Sequence, residues 1–333
     1  MDLVTKTGTF GAVLLAVAVA AAAQSLPPRR SFEIATGPAA GSYFPAGELI
    51  AQVVSHPPGL ARCEKSPLCG PPGVIVSARS SDGAVANVLA VNAGETASGL
   101  AQANVVADAV AGRGAFEKVG RQTHIRVMAD LFAESIHLVV PIRSRIREVA
   151  DLKGKRVSLG NARSGSDVIA EEILAAYGVR RVKILRETAE ISGGLLREGK
   201  IDAFFFLGNA PDVLIADMVG RGQARLIPID GKGRARLVAQ VQGLAAGALA
   251  AGTYRATPRL ETVTSRTFWI VRDSAPENVT YELLRALNHP GNRALLQTGE
   301  APPIRPGPAA GIASAPLHPG AARYWREIGA LPR

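Results

Sequence analysis

Two short loops carry the side chains best suited to chemistry. Gly37-Pro38-Ala39-Ala40-Gly41-Ser42-Tyr43 lies between a β-patterned run and a run of helical period. Small residues let a ligand approach the backbone, and the N–H groups at a helix start favour an anion. Arg163-Ser164-Gly165-Ser166-Asp167 repeats the arrangement later in the chain. It adds hydroxyls and a guanidinium that suit a carboxylate. Each loop also reads as an ordinary turn in which Ser166 or Asp167 caps its own helix. Two such loops in separate halves of the chain point to a cleft between two domains.

Motifs for catalysis are missing. The sequence has no G-x-S-x-G, no H-E-x-x-H and no G-x-G-x-x-G, and Gly154-Lys155 is followed by Arg156, which rules out a nucleotide phosphate loop. The five histidines (56, 124, 137, 289 and 318) lie far apart, with no spacing that suits a metal. Taken alone, His137 reads as a hydrogen-bonded structural residue. Neither a cofactor nor a metal is expected.

The elements that must hold these loops alternate. Runs at 31–37 and 74–80 read as strands, followed by helices at 45–55 and 84–94. Residues 125–132 and 136–142 are two β-rich runs, and 155–160, 168–178 and 181–186 form a strand-helix-strand unit. A helix at 189–198 leads to a strand at 201–208, another helix precedes a strand at 225–230, and 267–273 is a strand before a helix at 277–288. Alternation of this kind predicts an α/β fold with parallel sheets and ligands at the carboxyl ends of strands. APPIRPGPAAG (301–311) is a Pro/Gly-rich connector.

At 333 residues the chain is long enough for two domains, and 47% hydrophobic with 20% charged content is a folded composition. The net charge of +10 suits an anionic partner, but aromatics make up only 5% and are not interleaved with the cations. Nucleic-acid binding, which needs stacking platforms, is therefore not expected. Phe10 to Ala23 is uncharged over 14 residues, follows Lys6 and ends in Ala21-Ala22-Ala23 before Gln24. That is short for a membrane span and reads as a signal peptide over 1–23, although Asp2 weakens its basic start. An uncleaved anchor and a buried helix stay open as alternatives. Export to the periplasm would make Cys63 and Cys69, set in a loop with five prolines (56–73), a disulfide pair.

In order along the chain come GPAAGSYFPAG (37–47), the cysteine excursion, VIVSARSSDGAVANVLAVNAGE (74–95), GLAQANVVADAVAG (99–112) and FAESIHLVV (132–140). DLKGKRVSLGNARSGSDVIAEEIL (151–174), GKIDAFFFLGNAP (199–211) and PLHPGAARYWREIG (316–329) complete the series. From Ser31 to Gly329 the chain resembles the TAXI class of solute receptors for tripartite ATP-independent periplasmic (TRAP) transporters. The resemblance implies a type II periplasmic-binding fold: two α/β lobes closing on a small organic anion. It also implies a receptor, not an enzyme, working with TRAP permease subunits. The implied ligand is a dicarboxylate or an acidic amino acid, such as 2-oxoglutarate or glutamate.

Position by position, the resemblance implies a ligand set of Ser42, Tyr43, Ser80, Ser81, Asn87, Gln102, Glu134, His137, Ser164, Gly165, Ser166, Phe206 and Pro211, which Arg163 joins from the loop chemistry. Two departures matter: Gln102-Ala103-Asn104 stands where the family has Gln-Ser-Asp, and Ala162-Arg163 where it has Pro-Gly. If those side chains face the cleft, both changes tilt it toward a more anionic ligand. The expected organisation is one lobe from 31–132 plus 274–333 and another from 133–273, with hinges near 132 and 273, in a monomer. A ligand sensor without a permease is one alternative. An enzyme on the same scaffold is another, with Glu134 and His137 as its only acid/base candidates.

Overall fold

Phe32 and Ile34 in β1 (Arg30–Ala35), and Val74, Val76 and Ala78 in β2 (Val74–Arg79), recur at every second position and make these segments strands. The computed structural model describes residues 28–39, 41–59, 68–298, 301–309, 311 and 314–332. The signal peptide expected over 1–23 and Cys63 lie outside the described residues.

Helix α1 (Tyr43–Val54) joins β1 to β2, and α2 (Ala84–Ala93) leads to β3 (Ser98–Gln102) and α3 (Ala103–Ala111). A 17-residue strand, β4 (Ile125–Pro141), then enters the second half. There follow β5 (Arg156–Ser158), α4 (Gly165–Ala176), β6 (Lys183–Leu185), α5 (Ala189–Arg197) and β7 (Ala203–Gly208). Next come α6 (Val213–Gly220), β8 (Ala224–Ile227), α7 (Gly231–Gln240) and β9 (Leu244–Leu249). The chain returns through β10 (Leu260–Arg272) to α8 (Glu277–Leu287) and α9 (Pro319–Glu327).

All ten strands share one sheet, ordered β2-β1-β3-β10-β4-β7-β5-β6, with β8 against β4 and β9 against β10. The expectation of parallel sheets holds only for the outer pairs: β1 with β2 and β3, and β5 with β6 and β7. Every pairing of β4 and β10 is antiparallel. These two long strands run side by side through the middle of the sheet and tie its halves together. The two β-rich runs read at 125–132 and 136–142 are therefore one strand, continuous through Glu134. The second crossing also moves. Strand β10 pairs with β9 up to Ser265 and with β3 from Thr267, so the switch falls at 265–267, whereas 273 lies beyond the strand's end.

Buried apolar side chains gather around this frame. One cluster draws on 32–132 and 268–325, and two more draw on 136–263. The latter two occupy opposite faces of β4 and β7. Ile136, Leu138, Phe205 and Leu207 belong to one, and Val139, Phe204 and Phe206 to the other, as the period of two requires. Full burial of AFFFLG on both faces is the signature of a covered central strand.

Helix α9 locks onto α8. His318 caps its start by accepting from the Gly320 N–H (3.2 Å), and Thr280 Oγ1 meets His318 Nδ1 at 2.9 Å. A Cβ on Gly320 would lie 2.2 Å from the Glu277 carbonyl oxygen and from Thr280 Oγ1. Gly320→Ala should thus lower stability by about 1–3 kcal/mol through overpacking. Urea unfolding of the variant is the check, and an unchanged midpoint would show that the helices separate freely.

Candidate functional site

The carboxyl ends of β1, β3 and β5 face one another across a cavity of about 70 Å³. One wall is Gly37–Pro38, Gly41–Tyr43, Asp82–Ala84 and Gln102; the other is Gly160–Asn161, Ser164–Ser166, Ala189–Glu190 and Phe205–Leu207. Glu134, on the shared strand β4, lies between them.

Glu134 is 1% exposed. Its Oε2 accepts from Gln102 Nε2 at 2.7 Å and from Thr267 Oγ1 at 2.8 Å, so β3, β4 and β10 meet at one carboxyl oxygen. Burial outweighs these donors and raises its pKa from 4.5 to about 7. Tyr43 is buried against Phe132 and pushed well above the usual phenol range, by burial first and by the neighbouring Glu134 charge second. The Tyr43 hydroxyl lies near Glu134 and Thr267 but outside hydrogen-bonding geometry, and Gln102 Oε1 is likewise unpartnered. Both residues line the cavity, so these two unsatisfied buried polar atoms lie beside it.

The opposite wall is the start of α4. Ser164 is its N-cap, accepting from the Asp167 N–H at 3.2 Å. Ser166 Oγ accepts from the Leu207 N–H at 2.9 Å, which fastens the helix start to β7. Helix capping thus falls to Ser164, where the sequence pointed to Ser166 or Asp167. In this first turn the N–H groups of Gly165 and Ser166 have no intrahelical acceptor, an arrangement that suits an anion. Asp167 turns away to Arg186 (2.9 Å).

Direct contacts close the walls on one another. Ser42 Oγ donates to Asn209 Oδ1 (2.9 Å) and accepts from the Asn209 N–H (3.1 Å). Asn161 Nδ2 donates to the Asp82 carbonyl (2.6 Å), the Val85 N–H donates to the Arg163 carbonyl (3.2 Å), and the Arg163 guanidinium pairs with the Asp82 carboxylate. Arg163 sits at φ 65°, a conformation that surrounding contacts must hold. A Cβ on Gly165 would come within 2.2 Å of Gln102 Oε1, so only glycine permits this approach. Both partners of the Arg163–Asp82 pair are more than half exposed. Such a pair contributes ~0–1 kcal/mol, so Arg163→Ala should weaken solute affinity by no more than ~5-fold by calorimetry.

The structure brings together Ser42, Tyr43, Gln102, Glu134, Ser164, Gly165, Ser166 and Phe206. It places the other sequence candidates elsewhere. Ser80 and Ser81 donate to the carbonyls of Gly37 (2.9 Å) and Thr36 (3.1 Å), and the buried Asn87 holds the carbonyls of Thr36 and Leu100. They brace the Gly37 loop from behind and line a separate open cleft together with Arg163. Pro211 is exposed beyond the wall. His137 stands three residues from Glu134 on one strand, an odd spacing that puts the two side chains on opposite faces. It packs against Phe206 and meets the Tyr254 hydroxyl at 2.8 Å, and burial lowers its pKa to about 4. The acid/base pair required by the enzyme alternative is thus not assembled.

The two departures do not face the cavity. Asn104 is buried with its Oδ1 accepting from Ser265 Oγ (3.0 Å), and the Arg163 charge is spent on Asp82. Sequence reasoning missed Asp82, Asn161, Glu190, Asn209 and Thr267. Asp82-Gly83 carried a turn signal and Glu190 stood in a helix's first turn, while Thr267 lay inside a strand pattern. Nothing local marked any of them as site residues. Among the described residues the lining holds three carboxyl side chains, Asp82, Glu134 and Glu190, and no Lys, Arg or His. Among the described residues no cluster could hold a metal ion, and no helix is long and apolar enough to cross a membrane.

The NMT1-like family model matches residues 34–329. Among solved structures, MatC from Rhodopseudomonas palustris with bound malate is similar at a TM-score of 0.52 and 15% identity, covering 81% of this chain and 88% of that one. A structure titled as that of a periplasmic transporter is similar at a TM-score of 0.51 and 13% identity, over 90% of this chain and 92% of that one. At such identities the likeness establishes the fold, which is the two-lobed α/β fold of periplasmic solute-binding proteins.

Proposed function

The chain belongs to the NMT1-like family, and on that premise we propose that it is a periplasmic receptor that captures a small organic acid for a membrane permease. The observation that carries this reading is the cavity closed between two lobes, with the start of α4 on one side and Glu134 with two unpartnered polar atoms on the other. That arrangement suits a solute engulfed and released by lobe movement. The lobes are 31–132 plus 267–333 and 133–266, hinged where β4 and β10 cross. The motif order described above favours a TAXI-class receptor of a TRAP transporter. The same reading includes a signal peptide over 1–23, a Cys63–Cys69 bridge and a monomer.

Charge refines the ligand. Backbone N–H groups of α4 can donate to a carboxylate, and the lining holds no Lys, Arg or His among the described residues. Gln102 Oε1, beside the Glu134 carboxyl, lacks a donor that an ammonium would supply. Glutamate and 2-oxoglutarate carry the same two carboxylates, so the ammonium makes glutamate the better fit. Malate in MatC is an analogy at the level of fold.

A thermal-shift panel of amino acids and dicarboxylates tests the proposal, because a ligand of the native state raises the unfolding midpoint by mass action. Amino acids should give the larger shifts. A larger shift with dicarboxylates would overturn the ligand assignment, and no shift with any solute would overturn the receptor reading.

A further inference from the structure

A concentrated share of the chain's positive charge stands at one end of the second lobe, away from the cavity. Segments 143–156 and 180–183 contain nine Lys or Arg residues and two acids, a net charge of +7 in a chain whose net charge is +10. They are neighbours in space. The Gly154 N–H donates to the Arg181 carbonyl (3.1 Å), the Lys183 N–H donates to the Lys155 carbonyl (2.8 Å), and Arg156 lies opposite Lys183 in the β5–β6 register. The Arg225 guanidinium fixes the 143–147 loop by donating to the carbonyls of Ser144 (3.0 Å) and Ile146.

Little of this charge is neutralised. Arg143, Arg145, Arg147, Lys153, Lys155, Arg180, Arg181 and Lys183 are all exposed, and none has an ion pair among the described residues. The two acids are engaged with the backbone: Asp151 accepts from the N–H groups of Arg147 (2.7 Å) and Glu148 (3.2 Å), and Glu148 completes the reciprocal cap. Asp202 neutralises only Arg156 (2.8 Å). Eight like charges on one face repel each other, so the face gains from an anionic surface laid against it.

Topology sets this face opposite the ligand entrance. It lies at the amino ends of β5 and β6 and at the end of the antiparallel β4, whereas the cavity lies past the carboxyl end of β5. A partner seated here leaves the cleft open. Two large aliphatic side chains, Ile142 (46% exposed) and Ile184 (43%), stand among the cations. No aromatic residue occurs in 142–156 or 180–184, so bases would find no stacking platform. Exposed aliphatics among long cationic side chains on three separate segments match a headgroup layer, where phosphates meet cations and aliphatic groups reach the acyl boundary. We infer that this basic end of the second lobe docks the protein on an anionic phospholipid surface.

Flotation with phosphatidylcholine vesicles, with and without added phosphatidylglycerol, tests the inference. An apolar N-terminal segment would bind both vesicle types, so the difference between them is the readout. The full chain should bind the anionic vesicles at least ~10-fold more strongly, with the preference fading as salt rises. K153E/K155E/K183E, which alters exposed positions only, should abolish the preference while keeping the wild-type unfolding midpoint. Equal binding to the two vesicle types at low salt would overturn the inference, as would a preference retained by the triple variant. Tighter, salt-sensitive binding to poly-glutamate than to the anionic vesicles would overturn it in favour of an acidic protein.

Discussion

Gly165→Val should abolish solute binding and leave a folded protein. At this position the first turn of α4 meets Gln102 across the cavity, and even a Cβ would lie 2.2 Å from Gln102 Oε1 and 2.5 Å from its Cδ. The Gln102 side chain cannot yield cheaply, because its Nε2 is committed to Glu134 at 2.7 Å. A valine there holds the lobes apart, denying the solute its simultaneous contact with both walls. The loss should exceed ~100-fold in affinity, since the backbone donors of α4 and the Glu134 wall act only when brought together. Stability should fall little, because the clash vanishes as soon as the lobes open. Calorimetry and urea unfolding on the same variant separate the two effects. Binding within a few-fold of wild type would show that the solute sits elsewhere.

Glu134→Gln should change the pH dependence of stability strongly between pH 4.5 and about pH 7. Burial raises the Glu134 pKa from 4.5 to about 7, so the folded state holds a proton that the unfolded chain has already released. Below pH ~4.5 both states are protonated and the group costs nothing. As pH rises from there to about 7, the folded protein loses stability, and above that the loss is constant. At 1.36 kcal/mol per unit it amounts to roughly 3 kcal/mol. Glutamine keeps an acceptor for Gln102 and Thr267 without the buried charge, so the variant should gain on wild type across this window. Urea unfolding of both proteins from pH 4 to pH 8 gives the difference directly, and parallel curves would mean that Glu134 titrates normally. Solute affinity should move the other way, falling ~10- to 100-fold if the carboxylate receives an ammonium.

Strand-loop-helix punctuation made the start of α4 legible before any coordinates, because Ser164-Gly165-Ser166 follows a β-run and opens a helical period. The Gly37 loop was legible for the same reason. Strand β4 was read as two pieces because Ala133-Glu134-Ser135 breaks the apolar run. The break is bridged in three dimensions, where Gln102 and Thr267 satisfy the carboxyl from neighbouring strands. The amino end of β10 was missed because LETVTS mixes polar and apolar residues, and the strand forms by pairing along its edge with β9. Side-chain direction was the main loss. Ser80, Ser81 and Asn87 sit in the right loop yet hydrogen-bond backward to the Gly37 segment, and His137 falls on the far face of its strand. Asp82 and Asn209 act through contacts 81 and 167 residues away along the chain, a distance that no local pattern spans.

Calorimetric titration of the purified protein with L-glutamate and with 2-oxoglutarate tests the central claim most directly, with the solute recovered and identified afterwards. One site per chain, tighter binding of the amino acid than of the keto acid, and recovery of both solutes unchanged are expected. Heat from neither solute, or recovery of a converted product, would contradict it.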